Sequence, residues 1–514
     1  MTVFLDGIEW LGNKLPHPVV LFALFALGVI ILSGIAGALE LTVEDPRPAG
    51  ARGRNAEGTI SAISLLNAAG LRRIITSLVS NFTNFKPLGT VLVALLGVGV
   101  AEASGLLSAG IRAIVQGAPK HLVTFTVVFA GVLSNTASEM GYVVLIPLAA
   151  VIFHALGRHP LAGLAAAFAG VSGGYSANLL IGTVDPLLSG ITEEAARLID
   201  PGYTVHPAIN WYFMAISTVL ITVVGAWITT RIVEPRLGAF DPSRADPSAV
   251  ASPSLEPLTA LEKRGLIAAG ISVLAISILL ALAVVPPDGI LRNPDTGELL
   301  NSPFLKGMVA LIFVFFLIPG LIFGKIAGTF KDHRCVVDGM ASAMSSLGLY
   351  IVLVFFAAQF VAFFGWTNLG AIFAVTGANV LTEIGLTGPL VFVPFILMCC
   401  MVNLALGSAS AQWAVTAPIF VPMLMLLGYS PEIIQAAYRI GDSTTNIVTP
   451  MMSYFGLILA FANRYDRDLG IGTIVSMMLP YSLAFLSGWI VLFYLWVFLL
   501  GLPVGPEAHT YYPP

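Results

Sequence analysis

Long apolar runs dominate the chain and predict membrane-spanning helices. A helix needs about 20 apolar residues to cross the hydrocarbon core of a bilayer. Seven uninterrupted runs reach this length, at residues 18–39, 87–110, 211–233, 265–285, 305–324, 339–364 and 470–500. Hydrophilic connections lie at 40–86, 234–264 and 286–304. The pattern therefore predicts a polytopic helical membrane protein.

Four further apolar stretches are interrupted by polar residues, glycine or proline. They cover residues 122–157, 160–197, 388–428 and 431–462, with the interruptions SNTASE, SGGYSAN and GTVDP, GSASAQW, and GDSTTNIVTP. Backbone groups freed by a helix break must be buried in protein or line a polar cavity, because they cannot be satisfied in hydrocarbon. We predict that the first and third stretches are re-entrant helical hairpins and that the other two are broken crossing helices. This makes nine crossings in all.

The interrupted stretches form two similar pairs. Asn135 in the first hairpin precedes Asn178 by 43 residues, and Ser408 in the second hairpin precedes Asn446 by 38 residues. With a cytoplasmic N-terminus, one hairpin enters from the cytoplasm and the other from outside, so the two units are inverted. Paired discontinuous helices in inverted halves indicate a secondary transporter whose binding site lies near the bilayer midplane.

The polar clusters also have a purely structural interpretation, because small and hydroxylated residues pack membrane helices closely. Four clusters in repeated order favour the transporter, in which free helix N-termini bind anions and oxygen groups bind Na⁺. We predict cation ligands among Ser134, Asn135, Thr136, Asn178, Asp185, Ser408, Asp442 and Asn446.

Composition strengthens the membrane prediction and excludes other classes. Hydrophobic residues make up 57% of the 514 residues and charged residues 10%, whereas soluble domains carry about 25% charged residues. The mean hydropathy is +0.91. A net charge of −4 gives no indication of a nucleic-acid partner, and the three cysteines form no disulfide framework.

The distribution of lysine and arginine predicts the orientation. Of the 24 Lys and Arg residues, 14 lie on the cytoplasmic side in the topology above, nine lie outside and Arg439 lies within a span. Six of the outside residues lie in 40–86 and oppose this assignment. We predict a multi-pass protein of the bacterial inner membrane with a cytoplasmic N-terminus and an external C-terminus.

Four ionisable residues lie within predicted membrane segments, where each costs about 2.5–3.5 kcal/mol on insertion scales. Arg439 and Asp442 are three residues apart, so they either pair on one helix face or serve transport. In the second case Arg439 binds a substrate carboxylate and Asp442 orients it or holds a cation. Asp185, before Pro186, either caps a helix or carries a proton or cation. Glu139 is a candidate of the same kind, or is solvated in the cavity.

Trp413 and two prolines are further candidates. Trp413 follows the second hairpin tip and is either a core residue or an aromatic surface for the substrate. Pro431 and Pro450 bracket the last broken stretch, where each forms a hinge or a plain kink.

Several blocks identify a family resemblance. GRHPLAGLAAAFAGVSGGYSANLLIGTVDPLLSGIT (157–192), GSASAQWAVTAPIFVPMLMLLG (407–428), and shorter blocks at 210–215, 234–238, 302–307 and 502–506 resemble the p-aminobenzoyl-glutamate transporter (AbgT) family. The resemblance extends over essentially the whole chain. It implies a homodimer whose subunits have nine transmembrane helices and two re-entrant hairpins. It also implies ion-driven uptake of p-aminobenzoyl-glutamate or export of sulfonamide antimetabolites, which would give antibiotic resistance.

The resemblance also implies site residues. Functional roles in the family fall on residues that match Asp185, Trp413, Pro431 and Arg439, and Ser410, Asp442 and Pro450 lie in matching motifs. We therefore predict substrate contacts by Asn135, Asp185, Ser410, Trp413, Pro431, Arg439 and Asp442, with Pro431 and Pro450 as hinges. The SNT tip resembles hairpins of a wider ion-transporter group, many members of which use Na⁺.

The sequence thus predicts an ion-coupled secondary transporter that works by alternating access in an elevator-like architecture. The coupling cation is Na⁺ or H⁺, and no other cofactor or structural metal is predicted. An ATP-driven pump is disfavoured because GLIFGKI (320–326) falls one residue short of a phosphate loop and lacks its Ser or Thr. An ion channel is a remote alternative. An enzyme is not predicted, because no HExxH motif or usable Ser/His spacing occurs.

The predicted organisation divides the chain into seven segments. These are N-terminal scaffold spans (1–110), a first transport half (111–200), a span (201–233), a cytoplasmic linker (234–264), scaffold spans of the second half (265–364), a second transport half (365–463), and a final span with its tail (464–514).

Overall fold

The computed structural model describes residues 18–50, 54–137, 141–247, 257–299 and 302–512, and most of them are helical. The helices are α1 Pro18–Ala38, α2 Ala68–Thr83, α3 Lys86–Ala103, α4 Leu106–Gln116, α5 Val123–Ser134, α6 Ile146–Ala155, α7 Pro160–Phe168, α8 Val184–Ala196, α9 Trp211–Ile228, α10 Glu234–Leu237, α11 Ala260–Val284, α12 Pro303–Lys306, α13 Met308–Ala327, α14 His333–Ser346, α15 Gly348–Trp366, α16 Leu369–Glu383, α17 Phe392–Leu406, α18 Ala409–Leu426, α19 Pro431–Asn446, α20 Phe455–Asn463 and α21 Ile471–Phe493.

A small sheet departs from the predicted all-α class. Strands β1 (Thr42–Glu44) and β2 (Thr59–Ser61) pair antiparallel, with Val43 opposite Ile60. They lie in the predicted hydrophilic connection 40–86. The helical polytopic class is otherwise confirmed.

In the described part of the chain, nine helical segments are long and apolar enough to cross a membrane. Seven overlap the uninterrupted runs predicted from the sequence. The other two are Pro389–Leu406 and Ala409–Leu426, the two arms of the predicted second hairpin. The predicted broken crossings divide instead into shorter helices, so the count of nine agrees but two of its members differ.

Three helices were not predicted. Amphipathic α2 lies in the connection 40–86, where its polar face hid it from a search for continuous apolar runs. Helix α14 begins ahead of the predicted span 339–364 and occupies its first part, so the predicted single span is divided between α14 and α15. Helix α16 is apolar but has only 15 residues, which is too short for a bilayer crossing. It packs against α18.

Glycine ends two helices near the hairpins. Gly105 has a φ of +85°, so α3 stops and the predicted run 87–110 divides. Gly407 has a φ of +57° between α17 and α18, and a Cβ there would lie 2.9 Å from the Met451 backbone. A residue with a side chain is strained in this left-handed conformation, and no room exists for one. Gly407 therefore allows the sharp turn at the second tip.

Each hairpin packs closely on its own broken stretch. A Cβ added to Gly131 on α5 would lie 2.9 Å from the Gly170 backbone, and one added to Gly441 on α19 would lie 2.6 Å from the Ile396 carbonyl on α17. Small residues thus let the helix backbones touch in both units. Part of the first tip, including Ser138 and Glu139, lies outside the described residues.

The hydrogen bonds of the two tips repeat with a constant offset. Asn135 Nδ2 donates to the Gly174 carbonyl (3.4 Å), 39 residues later. Asn403 Nδ2 donates to the Asp442 carbonyl (2.8 Å), also 39 residues later. The donor of the second bond follows the donor of the first by 268 residues, and so does the acceptor. The same offset separates Asn178 from Asn446. The counterpart of Asn135 is therefore Asn403, rather than Ser408 as the sequence spacing suggested.

Candidate substrate and ion site

A cavity of about 250 Å³ lies where the two units meet. Both predicted hairpin tips line it, through Asn135 and residues 407–410. Both helix breaks line it too, through Thr183 and Asn446. The predicted residues that reach this cavity are Asn135, Ser408, Ser410 and Asn446. Scaffold residues from α3 and α15, with Leu347 between α14 and α15, close the remaining wall. The cavity therefore lies at the junction where the sequence predicted a midplane site.

Tyrosines form an aromatic wall that was not predicted. Tyr142 and Tyr454 stack with ring centroids 4.6 Å apart and an interplanar angle of 10°. Tyr175 and Tyr350 also line the cavity. The available signal was weak: Tyr142 and Tyr454 follow Asn135 and Asn446 by seven and eight residues. A search for aromatic residues just beyond each break would have found both.

Three helices begin at this cavity without a side-chain cap. The residues that precede α8, α18 and α20 are Thr183, Ser408 and Tyr454, and all three line the cavity. The first N–H groups of a helix have no partner within the helix and carry a partial positive charge. At α18 two hydroxyls accompany them, with Ser408 Oγ 3.4 Å from Ser410 Oγ. This combination suits a carboxylate.

A buried ion pair lies near this cavity but is not part of its lining. Arg439 Nη1 donates to Asp185 Oδ1 (2.6 Å), and Arg439 Nη2 donates to the Ser176 carbonyl (3.0 Å). Arg439 is only 1% exposed. The alternative in which Arg439 pairs with Asp442 is wrong in this structure, because the guanidinium points across to α8. A partner 254 residues away is not visible in a local sequence pattern.

Asp185 satisfies backbone near a helix start, as its capping alternative predicted, and also pairs with Arg439, which was not predicted; a role as a proton or cation carrier stays a prediction. Its Oδ2 accepts from the Gly182 N–H (2.7 Å), so it satisfies backbone just ahead of α8. Its Oδ1 neutralises Arg439. Both charges are therefore compensated without water, which is the condition for burying an ion pair at acceptable cost.

Asp442 is buried and lacks hydrogen bonds of good geometry. Neither of its carboxylate oxygens has a partner, and the same holds for Asn403 Oδ1 and Gln412 Oε1. The nearest phenol, Tyr438, donates to the Ala409 carbonyl (2.6 Å). An ionised carboxylate is costly to bury without hydrogen-bond partners, so Asp442 fits the predicted role of a proton or cation carrier, which stays a prediction.

The remaining predicted cation ligands form two groups. At the first tip, Thr136 Oγ1 donates to Asn178 Oδ1 (2.9 Å) and Ser134 Oγ donates to the Gly131 carbonyl (2.6 Å). In the second unit, Asn403 Nδ2 donates to Asn446 Oδ1 (2.8 Å). Their role in cation binding stays a prediction.

Trp413 lies in the core rather than in the cavity wall. It is fully buried and stacks on Tyr438, with centroids 4.2 Å apart. Its Nε1 donates to Thr192 Oγ1 (2.9 Å). Of the two alternatives for Trp413, the structure has the core position. Stacking of its ring on the substrate stays a prediction. Pro431 is the first residue of α19, and Pro450 follows that helix; their hinge role also stays a prediction.

A chain of buried polar side chains extends from Trp413 and was not predicted. Thr192 Oγ1 donates to Gln435 Oε1 (2.5 Å), and Gln435 Nε2 donates to Asn210 Oδ1 (2.7 Å). The chain joins α18, α8 and α19. Its members are isolated polar residues without a motif, so the sequence offered no signal for them.

Comparison with known proteins identifies the family. Residues 3–512 match the model described as "AbgT putative transporter family". The chain belongs to the AbgT family. It is 38% identical over 503 residues to the p-aminobenzoyl-glutamate transport protein of Escherichia coli K12, covering 98% of this chain and 96% of that protein.

Two solved structures of AbgT relatives resemble the whole fold. MtrF of Neisseria gonorrhoeae, described within a class of antimetabolite efflux pumps, is 60% identical with a TM-score of 0.93, over 98% of this chain and all of that one. The YdaH transporter of Alcanivorax borkumensis is 45% identical with a TM-score of 0.86, over 96% of this chain and all of that one. The fold is therefore that of an AbgT transporter.

The ion pair generates the first prediction. Asp185→Asn leaves a buried guanidinium without its counter-ion, and breaking a buried pair costs about 3–5 kcal/mol. We expect a large fall in the apparent unfolding temperature for Asp185→Asn and for Arg439→Gln. The double variant should be less destabilised than the sum of the two. Thermal unfolding of all four proteins in detergent measures this coupling; additive effects would contradict the pairing.

Proposed function

We propose that this AbgT transporter carries p-aminobenzoyl-glutamate or a related aromatic amino-acid conjugate, driven by an Na⁺ or H⁺ gradient. The observation that carries the proposal is the convergence of tyrosines and uncapped helix N-termini on one cavity. The relative from E. coli is named for the same substrate.

The cavity complements both ends of such a molecule. The flat pair Tyr142 and Tyr454 offers a stacking surface for the aminobenzoyl ring. The start of α18, with Ser408 and Ser410, offers N–H and hydroxyl donors for a carboxylate. At about 250 Å³ the cavity is smaller than most ligand pockets, which begin at about 300 Å³. Separation of the stacked rings would enlarge it, so we assign the tyrosines to substrate recognition.

Asp442 is the group that we assign to ion coupling. It lies behind the cavity on α19, with two unpaired carboxylate oxygens and with Asn403 Oδ1 and Gln412 Oε1 also unpaired. A proton or Na⁺ on Asp442 removes the cost of burying an uncompensated negative charge in a dry interior. Binding of the coupling cation at Asp442 then changes the free energy of the unit that carries the substrate.

The movement follows from the division of the fold. We propose that the hairpins and broken helices move together as an elevator against the scaffold of a homodimer in the inner membrane, with a cytoplasmic N-terminus. Each hairpin is packed backbone-to-backbone on its own broken stretch, which supports their movement as rigid bodies. The repeated Asn135 and Asn403 bonds support the inverted repeat.

A second candidate function is proton-driven export of sulfonamide antimetabolites. The observation that favours it is the 60% identity to MtrF, which is described within a class of antimetabolite efflux pumps. Sulfonamides share the aniline ring of p-aminobenzoyl-glutamate but lack its carboxylates. They would use the tyrosine wall without the helix N-termini.

Transport in proteoliposomes tests the function and the coupling group. We expect saturable p-aminobenzoyl-glutamate flux that follows one imposed gradient, Na⁺ or H⁺. In Asp442→Asn, accumulation should fall about tenfold or more, because a lost charged contact of 1.5–3 kcal/mol corresponds to at least that factor. Substrate exchange without a gradient should persist. Asp338→Asn makes the same change on an exposed residue of α14 and should have no effect.

Folded protein that moves sulfonamides but not p-aminobenzoyl-glutamate under either gradient would replace the first function with the second. Gradient-driven accumulation that survives in Asp442→Asn would remove Asp442 from the coupling mechanism.

The aromatic wall generates a separate prediction. Tyr454→Leu removes a ring interaction of about 0.5–1.5 kcal/mol and should raise the KM for p-aminobenzoyl-glutamate by about two- to tenfold. Tyr454→Phe keeps the ring and should leave KM nearly unchanged. Phe373→Leu, on an exposed ring of α16, is the control. An unchanged KM in Tyr454→Leu would place the ring of the substrate elsewhere.

A further inference from the structure

A second, larger cavity reaches the first hairpin tip from the side of the scaffold. Its volume is about 800 Å³. Asn135 lines the substrate cavity, whereas the next residue, Thr136, lines this groove. The main walls are α11 and α13, which are both long and apolar enough to cross a membrane. The groove therefore lies between the scaffold and the first transport half, at the depth of the bilayer.

The interior of the groove is almost entirely apolar. Residues that represent its walls are Val273, Leu280, Met308, Ile312, Phe316 and Pro319. Thr136 and Ser277 bear the hydroxyls of the groove interior, Tyr212 adds a phenol at the mouth, and no Lys or Arg occurs among the described residues that line it. A buried water needs two to four polar partners, and an anionic substrate needs donors or positive charge. The lining offers too little of either.

The length of the groove matches one leaflet of a bilayer. Along α13 its lining extends from Met308 to Pro319, which spans about 16 Å at the helical rise of 1.5 Å per residue. Half of a hydrocarbon core of about 30 Å is nearly the same length. The deep end, with Leu106, Leu107 and Thr136, thus lies near the midplane.

The mouth of the groove carries the marks of the membrane interface. Trp211 and Tyr212 begin α9 at the mouth and are 39% and 38% exposed. Tryptophan and tyrosine are enriched at the level of lipid headgroups. Leu299 and Glu507, which also line the groove, lie outside the candidate spans. The groove therefore opens at the headgroups and ends in the bilayer centre.

We infer that this groove binds one acyl chain of a bilayer phospholipid, with its terminal methyl group against the first hairpin tip. A hydrocarbon chain satisfies the apolar lining, the leaflet-matched length and the interfacial mouth together. It also keeps water away from Thr136, whose hydroxyl donates to Asn178. The first hairpin then moves past lipid, rather than past a dry protein contact. The inference does not depend on the identity of the substrate.

Photo-crosslinking tests the inference on the full-length protein. The probe is a phosphatidylcholine with a diazirine at the end of one acyl chain, in proteoliposomes made otherwise of unlabelled phospholipid. We expect adducts on peptides at the deep end, which contain Leu106, Leu107 and Pro319. Ser277→Phe fills the groove from α11 and should lower these adducts at least about fivefold, since space that a side chain occupies excludes other groups.

Ala275→Phe makes a similar change on the exposed face of α11 and should leave the adducts unchanged. Leu280→Trp is a second filling variant, should Ser277→Phe fail to fold. Adducts confined to outward residues such as Leu274 and Ile278, equal in all variants, would overturn the inference, because they would show ordinary boundary lipid. Deep-end adducts that persist in both filling variants would overturn it as well. So would competition by p-aminobenzoyl-glutamate, which would make the groove a substrate route.

Discussion

The buried ion pair between Arg439 and Asp185 joins two helical stretches that are each interrupted within the membrane. The first stretch does not satisfy all of its own broken backbone. Arg439 from the second unit donates to the Ser176 carbonyl in the first break, and Ser443 Oγ accepts from the Ser176 N–H (3.0 Å). Because unpaired backbone groups are so costly in hydrocarbon, the first unit requires the second.

Under the proposed function, this constraint explains how the cavity would recognise an anion without a positive side chain in its wall. The arginine is committed to the ion pair, so the positive potential at the cavity comes from the starts of α8, α18 and α20. The aspartate in the first turn of α8 is likewise committed to Arg439 and the Gly182 N–H. Asp442 is the exception, with unpaired oxygens.

Much of the fold could be predicted because hydrocarbon allows few structures. The interrupted apolar stretches at 122–157 and 388–428 predict helix pairs, and each contains two helices, one on either side of its interruption; that these pairs are re-entrant stays a prediction. The partners of single side chains could not be predicted in the same way. Arg439 finds Asp185 in the other unit, and Trp413 finds Tyr438, because tertiary packing rather than local spacing decides such contacts. Asn403 was missed because it lies inside an apolar run with no glycine or proline beside it, although the 268-residue offset already pointed to it.

Substrate protection of a cysteine tests the central claim most directly. Ser410→Cys places a thiol in the cavity wall, and Cys335→Ser removes the partly exposed native thiol, whereas Cys399 and Cys400 are buried. The rate of labelling by a charged methanethiosulfonate reagent would be measured with and without p-aminobenzoyl-glutamate. The account predicts that the substrate slows labelling at Ser410→Cys in a saturable manner and does not slow labelling at Thr296→Cys, an exposed position outside the candidate spans. Equal labelling rates at Ser410→Cys, in protein that transports the substrate, would contradict the assignment of this cavity.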